Sequence, residues 1–376
     1  MKQKSKLFLL VLLAGVLTLS ACTGKKEKTQ ENTKATAKKG TFTVTDIKGR
    51  QVHFNKVPEK VVTIGHGALK YYTYICGDKN LVGIEEAEKK GHSVKGQSIH
   101  HAYPNLKNIK SVGNGGPKLS PNYENLAFVK PDVIFAAYET SKEDFDKLQE
   151  KTKVPVVAIG TIMKGNIFDK ETYDTFSIIG KTMQKEKRAN EIIQTIKDVE
   201  SDLKKRSEGI SKPLEAYIGA TTFKGPQGIL STKTKLDLLK TVGVKNVMDK
   251  ITNKRSIILD KEKLLEINPK LMLLDMSGKT PLLEDMKKDP TFYKKLEAFK
   301  TGKVYGLMPY FTYGMNYDTA LINMYYIGKL AYPEKYQDID IEKKAREIYT
   351  KFVGKDVFDS MKKVHPESFK EFKIHE

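Results

Sequence analysis

The feature that most narrows what this chain can fold into is an internal echo. The stretch "YENLAFVKPDVIFAAY" begins at Tyr123, and "KEKLLEINPKLMLLDM" begins at Lys261. In each, a glutamate (Glu124, Glu262) opens an apolar helical phrase, a proline (Pro131, Pro269) stands seven positions later, and a run of buried-strand character follows; both pairs are 138 residues apart. The residue before a proline is pushed out of the helical region, so each phrase predicts a helix that ends and hands over to a strand. Two such units in one register call for two equivalent α/β lobes.

The surrounding pattern agrees. "TFTVTDIKGRQVHF" alternates on both sides of Lys48-Gly49 and predicts a hairpin. "PEKVVTIG", "LVGIEE" and "VPVVAIG" then read as strands of a first parallel sheet, with a helix over 68–76 and a glycine-rich turn "SVGNGGPK". A second run holds "LEAYIGA", a helix around 236–241, "LMLLDMSG", a helix up to Phe299, "KVYGLM" and a long helix beyond Tyr317. Between the runs, Ile192, Ile196, Val199 and Leu203 put one apolar stripe on a helix over 187–206. The boundaries that follow are a leader over 1–21, a leash over 22–40, a first lobe over 41–166, a helical connector over 167–210 and a second lobe over 211–376.

Lys2, Lys4 and Lys6 precede an apolar run from Leu7 to Leu19, too short for a membrane span and suited to a signal peptide. The run ends in "LSAC", which resembles the bacterial lipobox and implies cleavage before Cys22 and acylation there. That leaves Cys76 as the one remaining thiol, so the mature chain must hold together by its core without an internal disulfide. The net charge of +20 comes almost wholly from lysine, and six lysines against two glutamates lie over 25–39 in a segment without apolar periodicity. For an exported, anchored chain a basic balance points away from nucleic acid and toward anionic lipid, wall polymer or an anionic ligand. No G-x-S-x-G, H-E-x-x-H or C-x-x-C motif is present to support a metal-dependent surface enzyme.

The lipobox, the opening "TVTDIKGRQVHF…PEKVVTIG" with "LVGIE", the phrase "SVGNGG" leading into "ENLAFVKPDVIFA", a single linking helix and the closing "YYIGKLAYPEKY" together resemble the substrate-binding lipoproteins of ABC importers for iron-siderophore, haem and cobalamin. The resemblance implies two Rossmann-like α/β lobes joined by a single long α-helix, with a ligand cleft between them and small closing motions. It implies a non-enzymatic monomer, lipid-anchored through Cys22 at the extracytoplasmic face of a bacterial cell membrane. Such a protein has no intrinsic cofactor; it captures a ferric chelate or haem and delivers it to an ABC permease and its ATPase. Direct transition-metal or cobalamin binding is the alternative within the class. Glu124 and Glu262 match the two surface glutamates that pair with permease arginines in that family.

Ligands of open α/β sheets bind beyond the carboxyl ends of the strands, which selects the loops 65–70, 138–141, 160–165, 221–228, 275–279 and 308–316, with "GNGGP" at 113–117 as either a turn or an anion cradle. In these loops His66 is placed to ligate iron or haem, and His100 with His101 forms a second imidazole cluster or decorates an exposed loop. His92 lies nearby, Lys164 is a further loop-end cation, and His53, His365 and His375 read as surface. Lys70, Lys224 and Arg255 are cations at or near loop ends, Arg255 being one of only five arginines. Tyr138, Tyr310 and Tyr313 are expected to stack on a flat ligand, while Phe311 or Tyr317 fills the core.

Overall fold

The computed structural model describes residues 40–89, 92–163 and 166–373, without the side chains of His92 and Ser93. The leader, Cys22, the leash up to residue 39, Lys164 and His375 lie outside the described residues.

The predicted hairpin forms from β1 (Phe42–Thr45) and β2 (Gln51–Phe54), with Phe42 opposite Phe54. Its turn needs the positive φ of Gly49 (74°). Asp46, at the turn, accepts from the Arg50 guanidinium at 3.0 Å and from the Ala158 amide at 3.1 Å, which fastens the hairpin to the first sheet. That sheet contains β3 (Val61–Gly65), β4 (Leu81–Ile84), β5 (Lys110–Ser111), β6 (Val133–Ala137) and β7 (Val156–Ala158), all parallel, in the order β5-β4-β3-β6-β7. Every residue of β3 and β6 is buried, as a central parallel strand covered on both faces requires. The strand order reverses between β3 and β6, so the crevice of this lobe opens beyond Gly65 and Ala137.

The second lobe holds β8 (Glu215–Gly219), β9 (Ser231–Lys233), β10 (Lys245–Asn246), β11 (Ser256–Ile258), β12 (Met272–Asp275) and β13 (Val304–Leu307). Four of them form a parallel sheet in the order β10-β8-β12-β13, and β9 pairs antiparallel with β11 beside it. Its order reverses between β8 and β12, beyond Gly219 and Asp275. The predicted helix up to Phe299 is three helices, Lys279–Lys288, Pro290–Lys295 and Glu297–Lys300, because Asp289 and Leu296 leave helical geometry.

The connector is the 22-residue helix Glu186–Ser207, about 33 Å long. It buries Ile192, Ile196, Val199 and Leu203, the predicted stripe, and packs against the helix Lys170–Thr182, where Gly180 lets Ala189 approach. The helix Tyr317–Ala331 is buried on nearly every side. Together these helices carry one apolar core that runs from Val61 and Leu69 in the first lobe through Ile196 to Leu273 and Leu307 in the second. A shared core of this kind stiffens the back of the two-lobed frame and leaves the loops at the strand ends free to carry function.

Candidate functional site

At the carboxyl end of β3 the chain turns through Gly65 and Gly67, with φ of 90° and 89°. A Cβ at Gly65 would lie 2.3 Å from the Ala137 carbonyl, and one at Gly67 2.3 Å from Ile162, so both positions require glycine. Between them His66 is held half-buried, its ring centroid 4.5 Å from that of Tyr313. Burial, and then the charge of Lys70, pulls its imidazole down to about 4, so it is neutral at physiological pH.

Glu85, just past β4, organises the rest of this corner. Its carboxylate accepts from the Gly65 amide at 2.8 Å, from the Tyr313 hydroxyl at 2.9 Å and from the Tyr138 hydroxyl. Burial raises its pKa, with the three donors opposing. The Tyr313 hydroxyl in turn accepts from the Gly116 amide at 2.7 Å. Tyr313 belongs to the loop after β13, so a side chain of the second lobe is seated in the first.

Lys70 corrects the expectation of a ligand-facing cation. It is fully buried, and its ammonium donates to the carbonyls of Thr312 at 2.6 Å, Tyr313 at 3.2 Å and Gly314 at 3.1 Å. Burial pulls its pKa down to about 8, with Glu88 and Asp318 opposing. More contacts hold the same strap. The Asn316 amide donates to Gly96 O at 2.9 Å, Tyr74 and Ser98 donate to Asp318, and the Tyr317 hydroxyl meets Tyr71 at 2.6 Å and Thr172 at 3.0 Å.

The histidines do not gather as a metal cluster. His101 and His365 both approach the Lys95 carbonyl, at 3.1 and 3.3 Å, whereas His100 is half-buried and pushed down to about 3 by desolvation, Lys70 and His101. Adjacent residues of one helical turn project in different directions, so His100 and His101 cannot act as one pair. Among the described residues, no group of three His, Cys, Asp or Glu side chains is placed to hold a metal ion. The reading of His66, His100 and His101 as a joint metal site is therefore corrected, as is the surface reading of His365, which is buried.

In the second lobe Tyr310 is also corrected: it is fully buried core, not a stacking platform. Beside it Asp275 ends β12, accepting from the Ser277 amide at 2.9 Å. Its second oxygen, Oδ2, and the Tyr310 hydroxyl have no partner among the described residues. Lys233 lies 4.2 Å over the Phe311 ring and donates to Ser256 at 3.0 Å. Burial pulls Lys233 down to about 8 and pushes Asp275 up to about 7. Lys224 is exposed on the loop after β8. Arg255 lies on the rim of a separate concavity of about 730 Å³ with Lys235, Lys240 and Asn246. Tyr138 lines another of about 610 Å³ with Ser141, Thr161 and Glu171.

Asp275 gives a testable pH dependence. Its folded pKa, about 7, lies above the ordinary 3.8, so across that window the folded chain keeps a proton that the unfolded chain has released, and stability falls as pH rises. The buried imidazoles pull the other way, since His66 and His365 sit near 4 and lose stability as pH falls below about 6.5. Asp275→Asn should therefore be read as a difference from wild type: between pH 5 and 7.5 the wild-type chain should lose roughly 2 kcal/mol more than the variant in urea unfolding. Parallel profiles would remove Asp275 as a titrating group.

The echo is reproduced in three dimensions. The helices Tyr123–Val129 and Lys261–Ile267 have seven residues each, N-caps Asn122 and Asp260 that accept from Asn125 and Lys263 amides, and left-handed C-caps Lys130 (φ 47°) and Asn268 (φ 40°). Glu124 and Glu262 are exposed in their first turns, where the helix dipole favours a carboxylate. Phe128, one turn after Glu124, is 75 % exposed.

A family model described as "Periplasmic binding protein" matches residues 80–310. The iron-uptake system-binding protein of Bacillus subtilis is 26 % identical over 318 residues, covering 81 % of this chain and 90 % of that protein. The molybdate-binding protein MolA of Haemophilus influenzae is 22 % identical over 339 residues, covering 82 % and 90 %. The crystal structure of a periplasmic solute binding protein from Veillonella parvula superposes with a TM-score of 0.70 at 22 % identity, covering 86 % of this chain and 95 % of that one.

Proposed function

The chain belongs to the periplasmic binding protein family, and from that premise we propose that it captures a ferric chelate, siderophore or haem, in the cleft between its lobes and presents it to an ABC permease and its ATPase. The observation that carries this reading is the strap after β13: it joins the carboxyl-end loops of the second lobe to those of the first at His66, Glu85 and Gly116. Loops converging there are where a ligand of two open α/β sheets belongs. The iron-uptake relative supports iron as the cargo, and the lack of a three-ligand cluster among the described residues favours a chelate over a bare metal ion. In this reading the neutral His66 faces the chelate or haem iron, and the exposed Lys224, on the loop after β8, supplies positive charge, whereas Arg255 borders the separate concavity and is not assigned to the cleft. The protein works as a carrier, not an enzyme, as a monomer held at the extracytoplasmic face by lipid on Cys22, with Glu124 and Glu262 as the docking acids.

An absorption titration with haem, a panel of ferric siderophores and molybdate tests the reading, with tyrosine emission followed in parallel because the chain has no tryptophan. Saturable binding of haem or of one ferric chelate is expected, and a Soret shift lost in His66→Ala would make that imidazole an axial ligand. Saturation by molybdate alone, or by nothing in the panel, would overturn iron as the cargo.

A further inference from the structure

We propose that the corner formed by His66, Glu85 and Gly116 is a binding subsite for a hydroxyaryl ring, filled in this structure by the protein's own Tyr313, and that cargo enters by displacing that ring. This deepens the carrier reading and rests on it. The corner treats Tyr313 as a site treats a ligand. The ring lies against an imidazole at 4.5 Å between centroids, and the phenol oxygen donates to Glu85 at 2.9 Å and accepts from the Gly116 amide at 2.7 Å. A Cβ on Gly115 would stand 2.5 Å from that oxygen, so the cradle exists only because the loop is glycine there.

The occupant, by contrast, is poorly suited to its own backbone. Tyr313 has φ of 49°, a left-handed conformation that is unfavourable for an aromatic residue and that persists only when the surroundings impose it. Lys70 imposes it by gripping the carbonyls of Thr312, Tyr313 and Gly314, so the strap is held through its backbone and not through the ring. Once the ring has left, Glu85 keeps its bonds from Gly65 and Tyr138, so the first lobe remains intact. The group that replaces the phenol must present a flat ring for His66, an O–H for the buried carboxylate and a lone pair for Gly116. A phenol or a catechol with one free hydroxyl meets all three demands, whereas an aliphatic chelator meets none that involve the ring.

The test compares p-cresol, catechol and toluene as probes, by calorimetry, on the purified full chain and its Tyr313→Phe and Tyr313→Ala variants. Affinity for p-cresol and catechol should rise from wild type to Tyr313→Phe to Tyr313→Ala, by about tenfold for the first step because the plug loses two hydrogen bonds while its ring remains. Toluene should gain by the same factor, because that factor is set by the plug alone, but should bind more weakly than p-cresol in every variant, since it offers Glu85 no O–H and Gly116 no lone pair. If Tyr313 instead touched the bound ring, Tyr313→Phe would bind p-cresol more weakly than wild type, and that order overturns the proposal. Equal affinities for toluene and p-cresol in Tyr313→Ala would also overturn it, since they mark a bare cavity. If Tyr313→Ala does not fold, the Phe variant decides alone. A chain that takes p-cresol in this order yet binds no ferric chelate or haem would retain the subsite and lose the carrier reading.

Discussion

Cells expressing the chain with Glu124→Lys and Glu262→Lys together should lose uptake of the bound chelate, although the purified variant binds that chelate with unchanged Kd. Both acids are exposed and stand in the first turns of matched helices, one per lobe, and neither makes a contact with His66, Glu85, Gly116 or Tyr313 among the hydrogen bonds of that corner. Placing lysine there costs about 0.3–1 kcal/mol per site through the helix dipole. That is small beside a stability of about 5–15 kcal/mol, so the variant should fold and bind. What changes is the sign of two charges set in one register on a rigid frame. A permease that offers an arginine to each would meet two like charges, which damages orientation and on-rate before it touches cargo affinity. Either single reversal should leave partial uptake. The measurement is iron accumulation in cells beside a binding titration of the same protein, and normal accumulation by the double variant would remove the docking role. Phe128, one turn after Glu124, is exposed and would add an apolar contact to such docking on the first lobe; the equivalent residue on the second is Glu266.

The parts of this molecule legible in the sequence were those written in periodicity and punctuation. The repeated helices, the central strands β3, β6, β8 and β12 and the linking helix each carry an apolar pattern ended by a proline, glycine or cap residue, and the helix expected over 187–206 differs from the observed Glu186–Ser207 by one residue at each end. The strands β5 and β10, of two residues each, and the β9–β11 pair escaped because so short a strand has no period to read. The site was legible as a set of loops but not as a set of side-chain roles. Lys70 looked like one more loop-end cation among many and is a buried strut; Tyr310 looked like its neighbour Tyr313 and points into the core. Glu85 is read only as the end of the strand phrase "LVGIEE", and its role emerges when Gly65, Tyr138 and Tyr313 are brought to it from three other segments. Such roles come from contacts between residues up to 244 positions apart, which no local pattern encodes.

Lys70→Met should destabilise the chain by about 3 kcal/mol in urea unfolding at neutral pH, the scale on which breaking a buried charged contact differs from replacing a whole pair. Two effects oppose each other. The depressed pKa, about 8, shows that burial works against the ammonium, and methionine removes that penalty. Against this, three carbonyls lose their donor at once, each costing about 1–3 kcal/mol when left unsatisfied, and buried Glu88 and Asp318 lose the cation that faces them. The second group of losses is larger, so the sign is destabilising. Part of it should be recoverable: Lys70→Met with Glu88→Gln should be more stable than additivity allows, because the glutamine no longer needs a counter-charge. Loosening the strap should also release Tyr313 from its left-handed backbone, so the single variant should bind p-cresol more tightly than wild type despite being less stable. A loss below about 0.5 kcal/mol, the range of an ordinary surface change, would mean that Asn316 and Asp318 hold the strap and that Lys70 only fills space.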